Sequence, residues 1–163
     1  MVVSTPIRLP LRRVLVPIDL SDTARGALLV GLSWASALRS GPLEDSNHTD
    51  VDLTALYVRK GSSTDTASPP KALERELEYV REASGTWAGV SIKGDTTVND
   101  DATNGIVDYL GKNESDLVVM GTRGLGLDAV GRLGSVTESV ARVIDSPVLL
   151  VPPAVWQEHV RMP

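Results

Sequence analysis

Residues 118–144 read VVMGTRGLGLDAVGRLGSVTESVARVI, an apolar run followed by glycines and then by a pattern of helical spacing. Four residues at fixed spacing form its core: Gly121, Gly124, Gly134 and Ser135. The pattern predicts a strand at Leu117–Met120, a glycine-rich connection, and a helix at Ser135–Ile144. Backbone N–H groups at such a connection commonly hold phosphate, and glycine lets a phosphate approach the chain closely. The segment therefore predicts a strand-loop-helix unit that carries a phosphate site.

The rest of the chain repeats this alternation of strand and helix. Four further apolar runs predict strands: Val14–Ile18, Leu53–Val58, about Ala88–Ile92 and Val148–Val151. Apolar stripes at helical spacing predict three further helices, within Ala24–Leu38, Leu73–Val80 and Ile106–Leu110. Five strands separated by four helices predict an α/β fold with a single open parallel sheet and helices on both faces.

Several residues should mark the ends of these elements. Pro17 cannot donate to a strand ladder, so the first strand should stop near it. Ser21 and Asp22 are typical of a helix start, and Asp100 or Asp101 could cap the third helix. Gly85 is predicted to end the second helix.

Length and composition predict one domain, residues 1–163, with a core at about 12–152 and tails at 1–11 and 153–163. The chain has 163 residues, of which 42% are hydrophobic and 23% charged, as is usual for one folded domain.

The composition also argues against several classes of protein. There is no cysteine, which excludes a disulfide framework, a thiolate metal site and a cysteine nucleophile. A net charge of −5 and 4% aromatic residues argue against a nucleic-acid surface. No apolar run approaches the roughly 20 residues that span a bilayer. The first residues, MVVSTPIRLPLRR, place basic residues after a short apolar stretch, the reverse of a secretory signal. We expect a cytoplasmic protein without nucleic-acid or membrane partners.

The phosphate interpretation has rivals within the same segment. Ser135 and Glu138 have the spacing of a capping box, which begins many helices that bind nothing. The Walker pattern is absent, and the segment holds no lysine. A dinucleotide pattern begins at Gly124, but the acid about 20 residues on, Asp145, precedes the next strand instead of following it. The capping box therefore stays open as an alternative, and the other two motifs are rejected.

Ligands of open parallel sheets bind at the carboxyl ends of the strands, where the strand order reverses. Pro17, Asp19 and Val58 should gather there with the glycine segment. Asp19 has a second interpretation as a turn former at a strand end.

These residues carry a family resemblance. The glycine spacing resembles the nucleotide signature of the universal stress protein family. So do four further stretches: RRVLVPIDLSDTA (12–24), LTALYV (53–58), SDLVVMGTRG (115–124) and SPVLLVP (146–152).

The resemblance implies a Rossmann-like fold of the adenine nucleotide alpha hydrolase type, and ATP or ADP as ligand, with Mg²⁺ bound through the phosphates. Eight residues would bind the nucleotide: Pro17, Asp19 and Val58 at adenine and ribose, Gly121 and Gly124 along ribose and phosphate, and Gly134, Ser135 and Val136 at the phosphates. It also implies a homodimer that pairs through the last strand, Val148–Val151.

Three functions remain open from the sequence: an ATP-binding regulatory module for the stress response, a slow ATPase or phosphotransfer enzyme, and a nucleotide-free dimeric scaffold. No general base lies at motif distance, so no catalytic residue is predicted. The polar stretch 44–50 lacks the glycine and glutamate of a calcium loop, so no metal site is predicted. Packing alone should not require all three glycines, which disfavours the scaffold.

Overall fold

The computed structural model describes residues 6–7, 9–38, 50–61, 69–84, 87, 89–122 and 133–153. Strands and helices alternate along these residues. The strands are β1 (Arg13–Pro17), β2 (Val51–Arg59), β3 (Val90–Val98), β4 (Leu117–Gly121) and β5 (Val148–Val151). The helices are α1 (Asp22–Leu38), α2 (Lys71–Ser84), α3 (Ala102–Leu110) and α4 (Ser135–Val143).

The five strands form one parallel sheet in the order β3-β2-β1-β4-β5. The chain therefore starts at the centre of the sheet, builds outward through β2 to β3, and then crosses to β4 on the other side of β1. Pro17 is the last residue of β1 and pairs with Leu56. The predicted fold class is confirmed.

Two apolar clusters lie on the two faces of the sheet. The larger cluster joins α1 and α2 to the sheet, and Leu28, Leu32 and Leu73 are fully buried in it. The smaller cluster joins α3 and α4 to the other face through Ile106 and Val140. Helices thus cover both faces, because each helix buries one apolar stripe against the sheet.

The ends of two helices follow the local sequence. The Ser21 hydroxyl accepts a hydrogen bond from the N–H of Ala24 at 3.2 Å, so Ser21 caps α1. The Asp101 carboxylate accepts from the N–H of Asn104 at 2.8 Å, so Asp101, and not Asp100, caps α3. Gly85, expected to end α2, lies outside the described residues.

Most boundaries lie within two residues of expectation, and two differ by more or in kind. Strand β3 runs from Val90 to Val98, whereas the apolar pattern predicted about Ala88–Ile92. Its second half is polar because β3 is an outer strand with its residues only partly buried. Leu11, assigned to the N-terminal tail, is fully buried in the larger cluster and donates its N–H to the carbonyl of Leu38 at 3.3 Å.

Within the described ranges, no helix combines the length and the apolar character that crossing a bilayer requires.

Candidate functional site

The candidate site lies where the strand order reverses, outside the carboxyl ends of β1 and β4. The chain leaves β1 toward β2 on one side and later returns to β4 on the other, so the two connections diverge there and leave a crevice. The turn after β1 and the start of α4 lie at this end of the sheet. Val58, next to the last residue of β2, lies at the same end.

The turn after β1 is fixed by Asp19. Its Oδ1 accepts hydrogen bonds from the N–H of Ser21 at 3.0 Å and from the Ser21 hydroxyl at 2.5 Å. Leu20 between them has a φ of 66°, a left-handed conformation that is uncommon outside glycine. Asp19 is therefore a turn former, as its second interpretation predicted. Its side chain is nevertheless exposed, and no described residue donates to Oδ2.

Gly121 ends β4 where the sheet meets the first turn of α1. A Cβ at this position would lie 2.7 Å from Thr23 Cγ2 and 3.1 Å from the Thr23 carbonyl oxygen. The first distance is shorter than real Cβ contacts, and the second is a tight contact with backbone, which moves aside less easily than a side chain. Packing against α1 therefore accounts for Gly121 without any ligand.

Two hydrogen bonds join the start of α4 to the end of β4. The N–H of Gly134 donates to the carbonyl of Thr122 at 2.7 Å, and the Thr137 hydroxyl donates to the carbonyl of Gly121 at 2.9 Å. Thr137 is buried, whereas Ser135 is exposed. The first turn of α4 is thus held in place by its inner side, and its outer side faces away from the sheet.

The capping-box interpretation of α4 is wrong. The N-cap is Gly134, which has no side chain to accept a hydrogen bond, and Ser135 is already the first helical residue. Glu138 does not reach back, because its Oε1 accepts hydrogen bonds from Arg142 Nη2 at 2.7 Å and Nε at 3.2 Å. The negative charge of Glu138 is therefore paired with a cation one turn further along the helix.

The start of α4 consequently presents backbone donors. The first N–H groups of a helix have no partner within it. No described residue accepts from the N–H of Ser135, Val136 or Thr137. Gly134 has φ −61° and ψ 143°, which any residue can adopt, so its backbone conformation does not explain why it is glycine. N–H groups at a helix N-terminus that no described residue accepts from, next to a residue without a Cβ, favour an anion.

Val58 and Val136 pack against the same apolar cluster between the sheet and α3 and α4. Val58 is pressed against α3, because a Cβ at Gly105 would lie 2.6 Å from Val58 Cγ1. Both valines are half-buried, so each leaves part of its apolar surface accessible. The part of each side chain that is not buried adds apolar surface at this end of the sheet.

Sequence reasoning missed the residues that support the site, namely Thr23, Gly105 and Thr137. Gly105 gave the only usable signal, since a glycine inside a helical pattern often marks a close approach. Gly124, the middle glycine of the signature, lies outside the described residues. Among the residues that the structure describes, no three His, Asp or Glu side chains are grouped closely enough to hold a metal ion.

Comparison with known proteins agrees with this architecture. The model of the universal stress protein family matches residues 10–152. Among solved structures, the chain is similar to universal stress protein UspA from Lactobacillus plantarum, with 23% identity, a TM-score of 0.61, and coverage of 88% of this chain and 99% of that one. A universal stress protein in complex with cAMP has 23% identity, a TM-score of 0.62, and coverage of 88% and 98%. A universal stress protein from Archaeoglobus fulgidus has 18% identity, a TM-score of 0.61, and coverage of 86% and 98%. No curated protein matches the chain.

Proposed function

The chain belongs to the universal stress protein family, and on that premise we propose that it binds ATP in the crevice outside β1 and β4. The bound nucleotide makes the protein a regulatory module of the stress response. Mg²⁺ arrives on the phosphate oxygens, because the described residues offer no cluster of ligands for it.

The observation that carries this proposal is the uncapped start of α4. Three successive backbone N–H groups, at Ser135, Val136 and Thr137, have no acceptor among the described residues, and the N-cap is a glycine. A phosphate would satisfy these donors and would benefit from the positive end of the helix dipole. The Ser135 hydroxyl is exposed beside them as a further donor. The N–H of Gly134 already bonds to Thr122. Gly134 therefore helps mainly because it has no side chain that would keep a phosphate away.

The other end of the crevice suits a nucleoside. Asp19 keeps Oδ2 available to accept from ribose hydroxyls, because only Oδ1 is used in the turn. Pro17 and Val58 supply apolar surface near the ends of β1 and β2, where a base would lie. The solved neighbour in complex with cAMP supports a purine nucleotide as the class of ligand.

The charged side chains near the N–H groups of α4 favour a regulatory role over catalysis. A hydrolase needs a positioned water and usually a base. Glu138, the acid in the first turn of α4, is engaged by Arg142. Slow hydrolysis is the second candidate, and release of labelled phosphate faster than one turnover in several minutes would favour it.

Thermal unfolding with and without ATP and Mg²⁺ tests the binding. At about one hundred times the dissociation constant, binding should add roughly 2.7 kcal/mol. A domain of this size gains about 2–4 °C per kcal/mol, so we expect a rise in Tm of roughly 5–11 °C. No shift with ATP, ADP, AMP or cAMP would contradict the proposal and favour a nucleotide-free scaffold.

Two variants of one residue separate the backbone donor from the hydroxyl. Ser135→Pro removes the N–H and the hydroxyl but suits the first position of a helix, and the extended Gly134 before it is compatible with proline. Ser135→Ala removes the hydroxyl alone. We expect the thermal shift to be largely lost in Ser135→Pro and mostly kept in Ser135→Ala, while both variants keep the unliganded Tm within a few degrees.

We also propose that two copies pair through β5. This outer strand exposes backbone groups that would otherwise attract non-native pairing. Val143, on a helix that packs against the same cluster as β5, is 63% exposed and offers apolar surface to such a pair.

A further inference from the structure

The two outer strands of the sheet differ in whether their outward-facing backbone groups form hydrogen bonds. In the described part of the chain, strand β3 pairs only with β2, so one of its sides faces outward. The N–H of Val51 donates to the carbonyl of Gly89 at 2.9 Å, and the N–H of Asn99 donates to the carbonyl of Arg59 at 3.0 Å. Because residues of a parallel strand alternate between the two sides, these bonds define which residues face outward. They are Val90, Ile92, Gly94, Thr96 and Val98.

Groups on three of these outward residues are already bonded. The N–H of Val90 donates to the carbonyl of Trp87 at 3.2 Å. Arg81 lies in the last turn of α2, and its Nη2 donates a hydrogen bond to the carbonyl of Ile92 at 2.8 Å. The Oδ1 of Asp95 accepts from the N–H of Thr96 at 2.8 Å.

The Asp95 carboxylate is itself fixed. Its Oδ2 accepts a hydrogen bond from the Tyr109 hydroxyl of α3 at 2.7 Å. Asp95 therefore uses one oxygen to stay attached to α3 and the other to occupy the outer side of β3. Two side chains from different elements thus bond to the outer side of β3. Arg81 bonds at Ile92 and Asp95 bonds at Thr96, on either side of Gly94.

Strand β5 has the opposite character. The N–H of Val118 donates to the carbonyl of Pro147, and the N–H of Thr122 donates to the carbonyl of Val151, both at 2.9 Å. By the same alternation, Val148 and Leu150 point their backbone groups outward. No described side chain bonds to those groups.

We propose that Arg81 and Asp95 close β3 against pairing with a second copy of this chain, so that strand pairing between copies is confined to β5. A sheet with both outer strands free can add copies without limit, whereas one free strand permits a closed pair. The closure of β3 stands on its own contacts; only the confinement to β5 rests on the dimer proposed above.

The test compares masses in solution by sedimentation velocity over a range of protein concentrations. The double variant Arg81→Ala/Asp95→Ala should form species larger than the unsubstituted protein, with a fraction that grows with concentration. The matched control is Arg75→Ala/Asp52→Ala, which also removes one arginine of α2 and one aspartate of a strand, both exposed, but leaves Arg81, Asp95 and the Tyr109–Asp95 bond in place. The control should keep the mass of the unsubstituted protein.

Leu150→Pro is then added to the unsubstituted protein, to the double variant and to the control. This tests the closure of β3 independently of the proposed β5 dimer. Proline at position 150 removes an outward N–H of β5 and blocks pairing there. In that background the Arg81/Asp95 variant should still associate, through β3 alone. If Arg81→Ala/Asp95→Ala leaves the mass unchanged both with and without Leu150→Pro, the proposed closure of β3 is wrong. If the unsubstituted protein is a monomer, only the proposed dimer is wrong.

Hydrogen exchange on the unsubstituted protein gives a second measurement that needs no variant. The N–H groups of Ile92, Gly94 and Thr96 all face outward on β3, and only that of Thr96 is bonded by a described residue. We expect the Thr96 amide to exchange at least tenfold more slowly than the Gly94 amide. Equal exchange rates would overturn the role of Asp95 even if the double variant failed to fold.

Discussion

Gly121 and Gly134 belong to one sequence signature, but packing among the described residues explains only Gly121. At Gly121 a Cβ would collide with Thr23, whereas at Gly134 the extended backbone would accept any residue. The sequence marks both as glycine and cannot separate them, because the collision involves a residue about one hundred positions away. The phosphate interpretation therefore relies on Gly134 and Ser135 more than on Gly121.

Alanine at position 121 tests this difference. We expect Gly121→Ala to lower the free energy of unfolding by about 1–3 kcal/mol, because the added methyl group has only the α1 backbone and Thr23 to displace. Urea unfolding followed by circular dichroism measures the loss.

Gly111→Ala is the matched control. Gly111 has φ −64°, and a Cβ there would lie 3.6 Å from the nearest carbonyl oxygens, an ordinary contact. It should leave stability unchanged or raise it by about 0.4–1 kcal/mol. Equal losses in the two variants would refute the packing explanation of Gly121.

At the scale of elements, α3 is tied to β3 by the hydrogen bond between Tyr109 and Asp95. Burial raises the pKa of the Tyr109 phenol above its ordinary value of 10.0, and the hydrogen bond and negative charge of Asp95 raise it further. The folded protein therefore keeps a proton that the unfolded chain releases at high pH. The resulting stability is fully present below about pH 10 and is lost as the pH rises toward the raised pKa.

Titration of tyrosinate absorbance follows this group. The last part of the absorbance change at high pH should disappear in Tyr109→Phe and persist in Tyr79→Phe, whose tyrosine is 48% exposed. Unfolding free energy above pH 10 should also fall less steeply in Tyr109→Phe than in the unsubstituted protein. Loss of the late signal in Tyr79→Phe instead would contradict the assignment.

Sequence periodicity located every helix and strand that the structure describes, but it misjudged the length of β3. Lys93, Asp95 and Thr97 break the apolar pattern, and local propensity gives no reason to continue the strand. The strand nevertheless continues, because nine of its residues pair with β2. Similarly, the ion pair of Arg25 with Glu76, at 2.6 Å, joins α1 to α2 across 51 residues and leaves no local signal.

At the scale of the whole molecule, the alternation of strands and helices was enough to predict a parallel sheet covered on both faces. The strand ends then indicated the end of the sheet at which Pro17, Asp19 and Val58 lie. The residues that brace this site could not be predicted, because Thr23, Gly105 and Thr137 act through contacts between elements. Side chains with local signatures were predictable, and those defined by tertiary contact were not.

The proposed dimer is tested by two substitutions at one position of β5. Leu150→Pro and Leu150→Ala both remove the leucine side chain from the smaller cluster, but only proline removes the outward N–H. We expect light scattering after size exclusion to give the mass of one copy for Leu150→Pro and of two copies for Leu150→Ala. Circular dichroism should report a folded chain in both. A dimeric Leu150→Pro protein would place the interface elsewhere.

The two hydrogen bonds that attach α4 to β4 have a consequence for how a signal could leave the molecule. Because the Gly134 N–H and the Thr137 hydroxyl bond to the carbonyl groups of Thr122 and Gly121, the first turn of α4 is fixed by the protein itself and would lose little backbone entropy when the proposed phosphate binds. A helix start fixed in this way would change shape little when the proposed nucleotide binds. A partner that distinguishes the loaded from the empty protein would then recognise the nucleotide itself, much as an antibody recognises a hapten on its carrier.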